Sequence, residues 1–233
     1  MPPNSQPLDI GLAAVVDGMT LTLTDGSTLR LSGLLVPRDV EPFADEARAG
    51  LAVSLAGAGL RLYPMEEPSD RYGRRLAQVY LLRPGAAPVW LQGALLDAGQ
   101  ARVETTKDNR SCAKALLARE AAARSAHKGL WQLAFYAVRD ADRLADDDLG
   151  RFVLVEGRVL AAATHGKTAY LNYGRNWHTD FTVEIGAADL ALFATEGYDP
   201  SNLAGQRLLV RGWLQKLNGP MIVVTHPEQI ERP

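Results

Sequence analysis

Tyr170, Tyr173, Trp177 and Phe181 are interleaved with Lys167, Arg175 and His178 in one short stretch of this 233-residue chain. Aromatic faces stack nucleobases while guanidinium and ammonium groups follow a phosphate backbone, so the stretch is a candidate nucleic-acid contact. Such residues also fill the interior of small β-barrels, and Trp213 is assigned to that role. Tyr173-Gly174-Arg175-Asn176-Trp177 reads as a loop, where packing demands least, which leaves Tyr173, Arg175 and Trp177 as the candidates. Other chemistry has less support. His127, His165, His178 and His226 form no pair at metal-binding helical spacing, and the single Cys112 can neither close an intramolecular disulfide nor build a cysteine-rich zinc site. No glycine-rich phosphate loop follows a strand.

Two groups of elements must position these residues. In the first, Leu21, Leu23, Leu29 and Leu31 alternate with Thr20, Thr22, Thr28 and Arg30 around Asp25-Gly26, a period-two hairpin signal. Strand-like runs follow at 59–63 and 75–82. Helices are expected near Ala44 to Leu55, near Val89 to Ala98, and from about Ser111, as N-cap, to His127 before Gly129; Glu120 and Arg124 form an i,i+4 pair on the last. In the second group, five strands (152–160, 168–173, 180–185, 207–214 and 221–225) have a short helix, 187–195, after the third. That order is expected of an OB-type barrel. The charged stretch at 139–148 is read as the boundary, with domains at 9–135 and 150–231 and a linker at 136–149.

The formal net charge is -2, so no global basic field drives indiscriminate nucleic-acid binding, and any polyanion site is a local cluster. Residues 149–233 hold eight basic and eight acidic side chains, so neither part stands out in charge. No run approaches the roughly 20 apolar residues of a membrane-spanning helix, which excludes membrane insertion by helices. The first residues lack a signal-peptide pattern. The expectation is a cytoplasmic chain, or an exported, periplasmic one if a leader was removed ahead of Met1.

Five blocks then occur in order: Val15-Val16-Asp17-Gly18-Met19-Thr20-Leu21, Leu29-Arg30-Leu31-Ser32-Gly33, Asp70-Arg71-Tyr72-Gly73-Arg74-Arg75-Leu76-Ala77, the segment from Leu95 to Val103, and Leu117 to Arg124 with Gly129-Leu130-Trp131. Together they resemble the staphylococcal-nuclease (thermonuclease) family over roughly residues 9 to 135. The resemblance implies an α+β fold, mainly β: an OB-fold five-stranded barrel with three helices. Residues 149–233 are similar to the smaller OB-like β-barrel appended to some bacterial members. The family's phosphodiester hydrolysis uses a calcium ion held by carboxylates, a glutamate that activates or orients water, and two arginines on the phosphate oxygens.

Carried over residue by residue, the arginines are Arg30 and Arg74. The acidic positions are not kept: Met19 and Leu35 stand at the calcium aspartates and Arg38 at the glutamate. Calcium needs six to eight hard oxygen ligands, so no cofactor is expected. Arg30, Arg38 and Arg74 are expected to form an anion-binding pocket without hydrolytic competence, taking single-stranded nucleic acid or a nucleotide phosphate. The plainer alternative pairs Arg30 and Arg74 with carboxylates such as Asp17 or Asp70 and leaves Arg38 solvated. Asp39, Glu41, Asp45 and Glu46 belong to a solvated loop and a first helical turn, unless a register change swings one inward and keeps a displaced metal site in a working phosphodiesterase. A third reading is a non-catalytic scaffold for a protein partner.

Overall fold

The computed structural model describes residues 5–176 and 178–232, which fall into two compact units that divide after Tyr136. In the first, the alternating leucines do what their spacing requires: Leu21, Leu23, Leu29 and Leu31 are all buried on one face of a hairpin. Asp25 fixes its turn by accepting the Ser27 N–H at 3.0 Å and hydroxyl at 2.6 Å, and Gly26 takes the left-handed φ of 80°.

The chain runs β1 (Leu8–Ile10), β2 (Leu12–Val15), β3 (Thr20–Leu23), β4 (Thr28–Leu31), β5 (Leu34–Leu35), α1 (Ala44–Leu55), β6 (Gly59–Ser69), β7 (Arg75–Leu82), β8 (Val89–Trp90), α2 (Leu91–Asp97), β9 (Arg102–Val103) and α3 (Ala113–Ser125). The sheet order is β1-β6-β7-β4-β3-β2. Since β1 and β2 are halves of one strand interrupted only at Gly11, both ends of the sheet belong to the same strand, and the sheet curls on itself. The β4–β7 pair is parallel; the other pairs of this path are antiparallel.

The second unit repeats this plan with β10 (Arg139–Asp140), β11 (Phe152–Arg158), β12 (Ala161–His165), β13 (Thr168–Asn172), β14 (Thr182–Ile185), α4 (Leu190–Thr195), β15 (Arg207–Leu217), β16 (Gly219–Val224) and β17 (Ile230–Glu231). Its order is β10-β11-β15-β16-β14-β13-β12, with β14–β16 parallel. Here β11 and β12 are the bent first strand. Both units therefore share one connectivity: a bent first strand, two more strands, a helix, two final strands, and a parallel pairing of third with fifth. This is an α+β protein with curled, OB-like sheets. Among the described residues no helix is long and apolar enough to cross a membrane.

Several expectations need correction. The helix expected from Val89 opens as β8 and becomes helical at Leu91. Cys112, not Ser111, occupies the N-cap of α3, without a side-chain capping bond. The expected linker is structured: β10 pairs in parallel with β11, and Asp148, only 4% exposed, joins Arg139 at 2.8 Å to Arg151 at 3.4 Å. Paired charges there had the look of solvated ones. Trp213 is 37% exposed, because it stands on the opposite face of β15 from the buried Leu208, Val210 and Leu214.

Candidate functional site

Arg30 lies in β4, opposite Thr20 of β3 and Leu76 of β7. Its place between the buried Leu29 and Leu31 turns it away from the core. Arg74 ends the turn leading into β7. Asp70 organises that turn by accepting the Tyr72 N–H at 2.9 Å, the Arg74 N–H at 3.0 Å and the Arg74 Nε–H at 2.6 Å. Partial burial, and after it the charge of Arg74, lower the pKa of Arg30, while Glu104, Asp17 and Asp70 act in the opposite sense. The parallel β4–β7 pairing thus brings the two arginines within electrostatic reach. Glu104 is 3.9 Å from Arg30, a loose ion pair.

Arg38 is engaged by Glu41. Its N–H, Nε–H and Nη2 meet Glu41 at 3.1, 3.0 and 2.9 Å. The nearly buried Glu41 carboxylate also lies 3.8 Å from the buried Arg102 of β9, whose guanidinium sits 4.9 Å above the Tyr136 ring; Tyr136 in turn donates to the Pro42 carbonyl at 2.6 Å. Of the three arginines expected to share one pocket, Arg30 and Arg74 act on one another electrostatically, while Arg38 joins Glu41 and Arg102 in a cluster. Glu41, read as a solvated loop residue, is the one acidic residue of that loop that swings inward, and it meets cations there.

The calcium positions of the resemblance hold Met19 and Leu35, 7% and 6% exposed. Asp17 spends one carboxylate oxygen on the Met19 N–H at 2.8 Å. A thioether and an alkyl group offer no hard oxygen, and among the described residues no three His, Cys, Asp or Glu side chains are grouped to hold a metal. The side chains present do not fit a calcium ion.

Sequence reasoning missed Tyr72. It is 67% exposed, and the Arg71 and Arg74 guanidinium carbons lie 4.8 and 5.1 Å from its ring centre. An aromatic residue inside an Asp-Gly turn, where no core needs it, was the available signal. In the second unit, Tyr173 is a core residue and not a stacking platform: it packs on Phe181 at 4.9 Å between centroids, and burial pushes its phenol above its ordinary pKa. Arg175 is exposed, and Trp177 lies outside the described residues.

With this geometry in view, residues 28–133 match the family described as Staphylococcal nuclease homologue. A relative from Oryza sativa subsp. japonica, described as Probable staphylococcal-like nuclease CAN1, is 33% identical over 103 residues, covering 44% of this chain and 28% of that protein. The chain thus spans under a third of that relative's length. The curled first-unit sheet, its ordered motifs and these matches support a staphylococcal-nuclease-like character for residues 28–133.

Proposed function

We propose that the nuclease-like domain binds the phosphate of a single-stranded nucleic acid or nucleotide on Arg30 and Arg74 and has lost calcium-dependent hydrolysis. The observation that supports this reading best is the electrostatic proximity of the Arg30 and Arg74 guanidiniums, with Arg74 against the exposed Tyr72 ring, while the positions that the resemblance assigns to calcium ligands hold the buried Met19 and Leu35. Arg30 is tied only loosely to Glu104, so most of its five N–H donors are available to a phosphate. Arg74 is held more firmly by Asp70, which fixes its direction. Tyr72 supplies a ring face to the neighbouring base. Asp17, Asp70 and Glu104 offset the two cations, so binding is modest and falls steeply with salt.

Fluorescence anisotropy with labelled oligothymidylate in EDTA at low salt tests this. Arg30→Ala and Arg74→Ala are each expected to weaken binding roughly tenfold. Arg175→Ala is the matching change in the second unit, and a comparable loss there would move the site to that unit. Absence of binding at low salt would favour the scaffold reading. Calcium-dependent cleavage that disappears in Arg74→Ala would restore the phosphodiesterase.

A further inference from the structure

The second unit presents a lined trough on the sheet face that points away from its core. The opposed pairs Tyr170 with Glu184, Asn172 with Thr182 and Thr182 with Met221 stand these side chains next to one another across β13, β14 and β16. The alternate residues, among them Leu171, Val183 and Ile222, fill the core. On β12 the same face carries Ala161 opposite Asn172, Ala163 opposite Tyr170 and, at the strand's end, His165 opposite Thr168. The cavity on this face, lined by Tyr170, Asn172, Thr182, Glu184 and Met221, measures about 380 Å³. His165 stands at its edge, 6.1 Å from the Tyr170 ring, as does Leu217, 57% exposed, with Asn218 in the β15–β16 turn.

Strands two and three, bounded by the loops between strands one and two and between four and five, are where OB barrels commonly receive ligands. A barrel that takes a phosphate chain there lines the face with cations. This one lines it with the carboxylate of Glu184 and no Lys or Arg. Among the described residues Glu184 has no ion pair with a Lys or Arg; it faces the Tyr170 hydroxyl, whose pKa is raised by burial and then by the Glu184 charge. A ring face beside an uncompensated, partly desolvated carboxylate suits a planar cation that stacks and hydrogen-bonds at once.

We propose that this trough receives the guanidinium of an arginine on a partner polypeptide, stacked on Tyr170 and paired with Glu184. The site is independent of the phosphate reading of the first unit. Amide spectra of the ¹⁵N-labelled full chain, titrated with Nα-acetyl-arginine amide, test it. Shifts should be confined to β13, β14 and the β15–β16 turn, and the glutamine counterpart should leave them unmoved. Affinity should fall roughly tenfold in Glu184→Gln and in Tyr170→Leu, and stay within about twofold in Tyr170→Phe, which keeps the ring. Spectra of undiminished dispersion will show that the variants fold. Arginine-induced shifts that are absent, spread over the chain, or unchanged by Glu184→Gln would overturn the proposal. So would preferential occupancy by uridine 5′-monophosphate, which would make the trough a nucleotide site. The chain alone should sediment as a monomer at high concentration; a dimer abolished by Glu184→Gln would replace the foreign partner with a second copy.

Discussion

Combining Met19→Asp, Leu35→Asp and Arg38→Glu is expected to make the stability of the first unit depend on calcium. In the absence of the ion the three changes oppose folding. Two carboxylates enter positions whose present side chains are 7% and 6% exposed, and the third change sets a negative charge against Glu41, now held by Arg38. A buried carboxylate without full compensation costs on the order of 3 kcal/mol, a large share of the roughly 5–15 kcal/mol that keeps a domain folded. Calcium reverses the sign of the local field and supplies the missing partner. At about 100 times its dissociation constant it returns about 2.7 kcal/mol. Thermal melts in EDTA and in excess calcium should therefore differ by several degrees for the triple variant and coincide for the unaltered chain. Equal calcium shifts in both chains would show that the present side chains already hold the ion. A folded triple variant that calcium leaves unchanged would show that Met19, Leu35 and Arg38 do not occupy the acidic positions.

Asp148→Ala is expected to destabilise the second unit by about 3 kcal/mol. Asp148 accepts from Arg139 at 2.8 Å, from the Ala145 N–H at 3.1 Å and from Arg151 at 3.4 Å, and its removal leaves two part-buried guanidiniums without their common anion. Burial pulls its pKa upward, but Arg139, the Ala145 N–H and the two positive charges outweigh it and hold the carboxyl below the ordinary 3.8. A depressed folded-state pKa means stability that is complete above the unfolded carboxylate value and lost as pH falls through the folded one. Hydrogen exchange of the β11 and β15 amides should accordingly show the difference between wild type and Asp148→Ala full at neutral pH and shrinking in acid, below about pH 4. A difference that stays constant down to pH 2 would remove the carboxylate from the account.

Period-two alternation around Asp25-Gly26 was enough to place β3, β4 and their buried leucines, since a strand with one wet face has little other choice. The same rule applies to Tyr173: it shares parity with Ala169 and Leu171, both of them core residues, so its ring belongs inside. Strand β12 was illegible for the opposite reason. Ala161, Ala162 and Ala163 favour helix intrinsically, and only their pairing with β13 makes them a strand.

Of the candidate site, the proximity of Arg30 and Arg74 follows from ordered motifs whose third and fifth strands pair in parallel. The fate of Arg38 does not. Glu41 is three residues away and looks solvated, and its burial depends on Arg102, brought beside it because β9 pairs with β5. Local sequence carries no trace of that contact. Asp148 was hidden in the same way, as one acid among neighbours of equal charge whose partners only tertiary structure reveals.

Isothermal titration of the unaltered chain with a nucleoside 3′,5′-bisphosphate, in EDTA and again with calcium, tests the central claim most directly. The account predicts heat from the bisphosphate that is the same with and without the ion, and none from calcium alone. Heat of calcium binding, or bisphosphate binding that requires calcium, would contradict it.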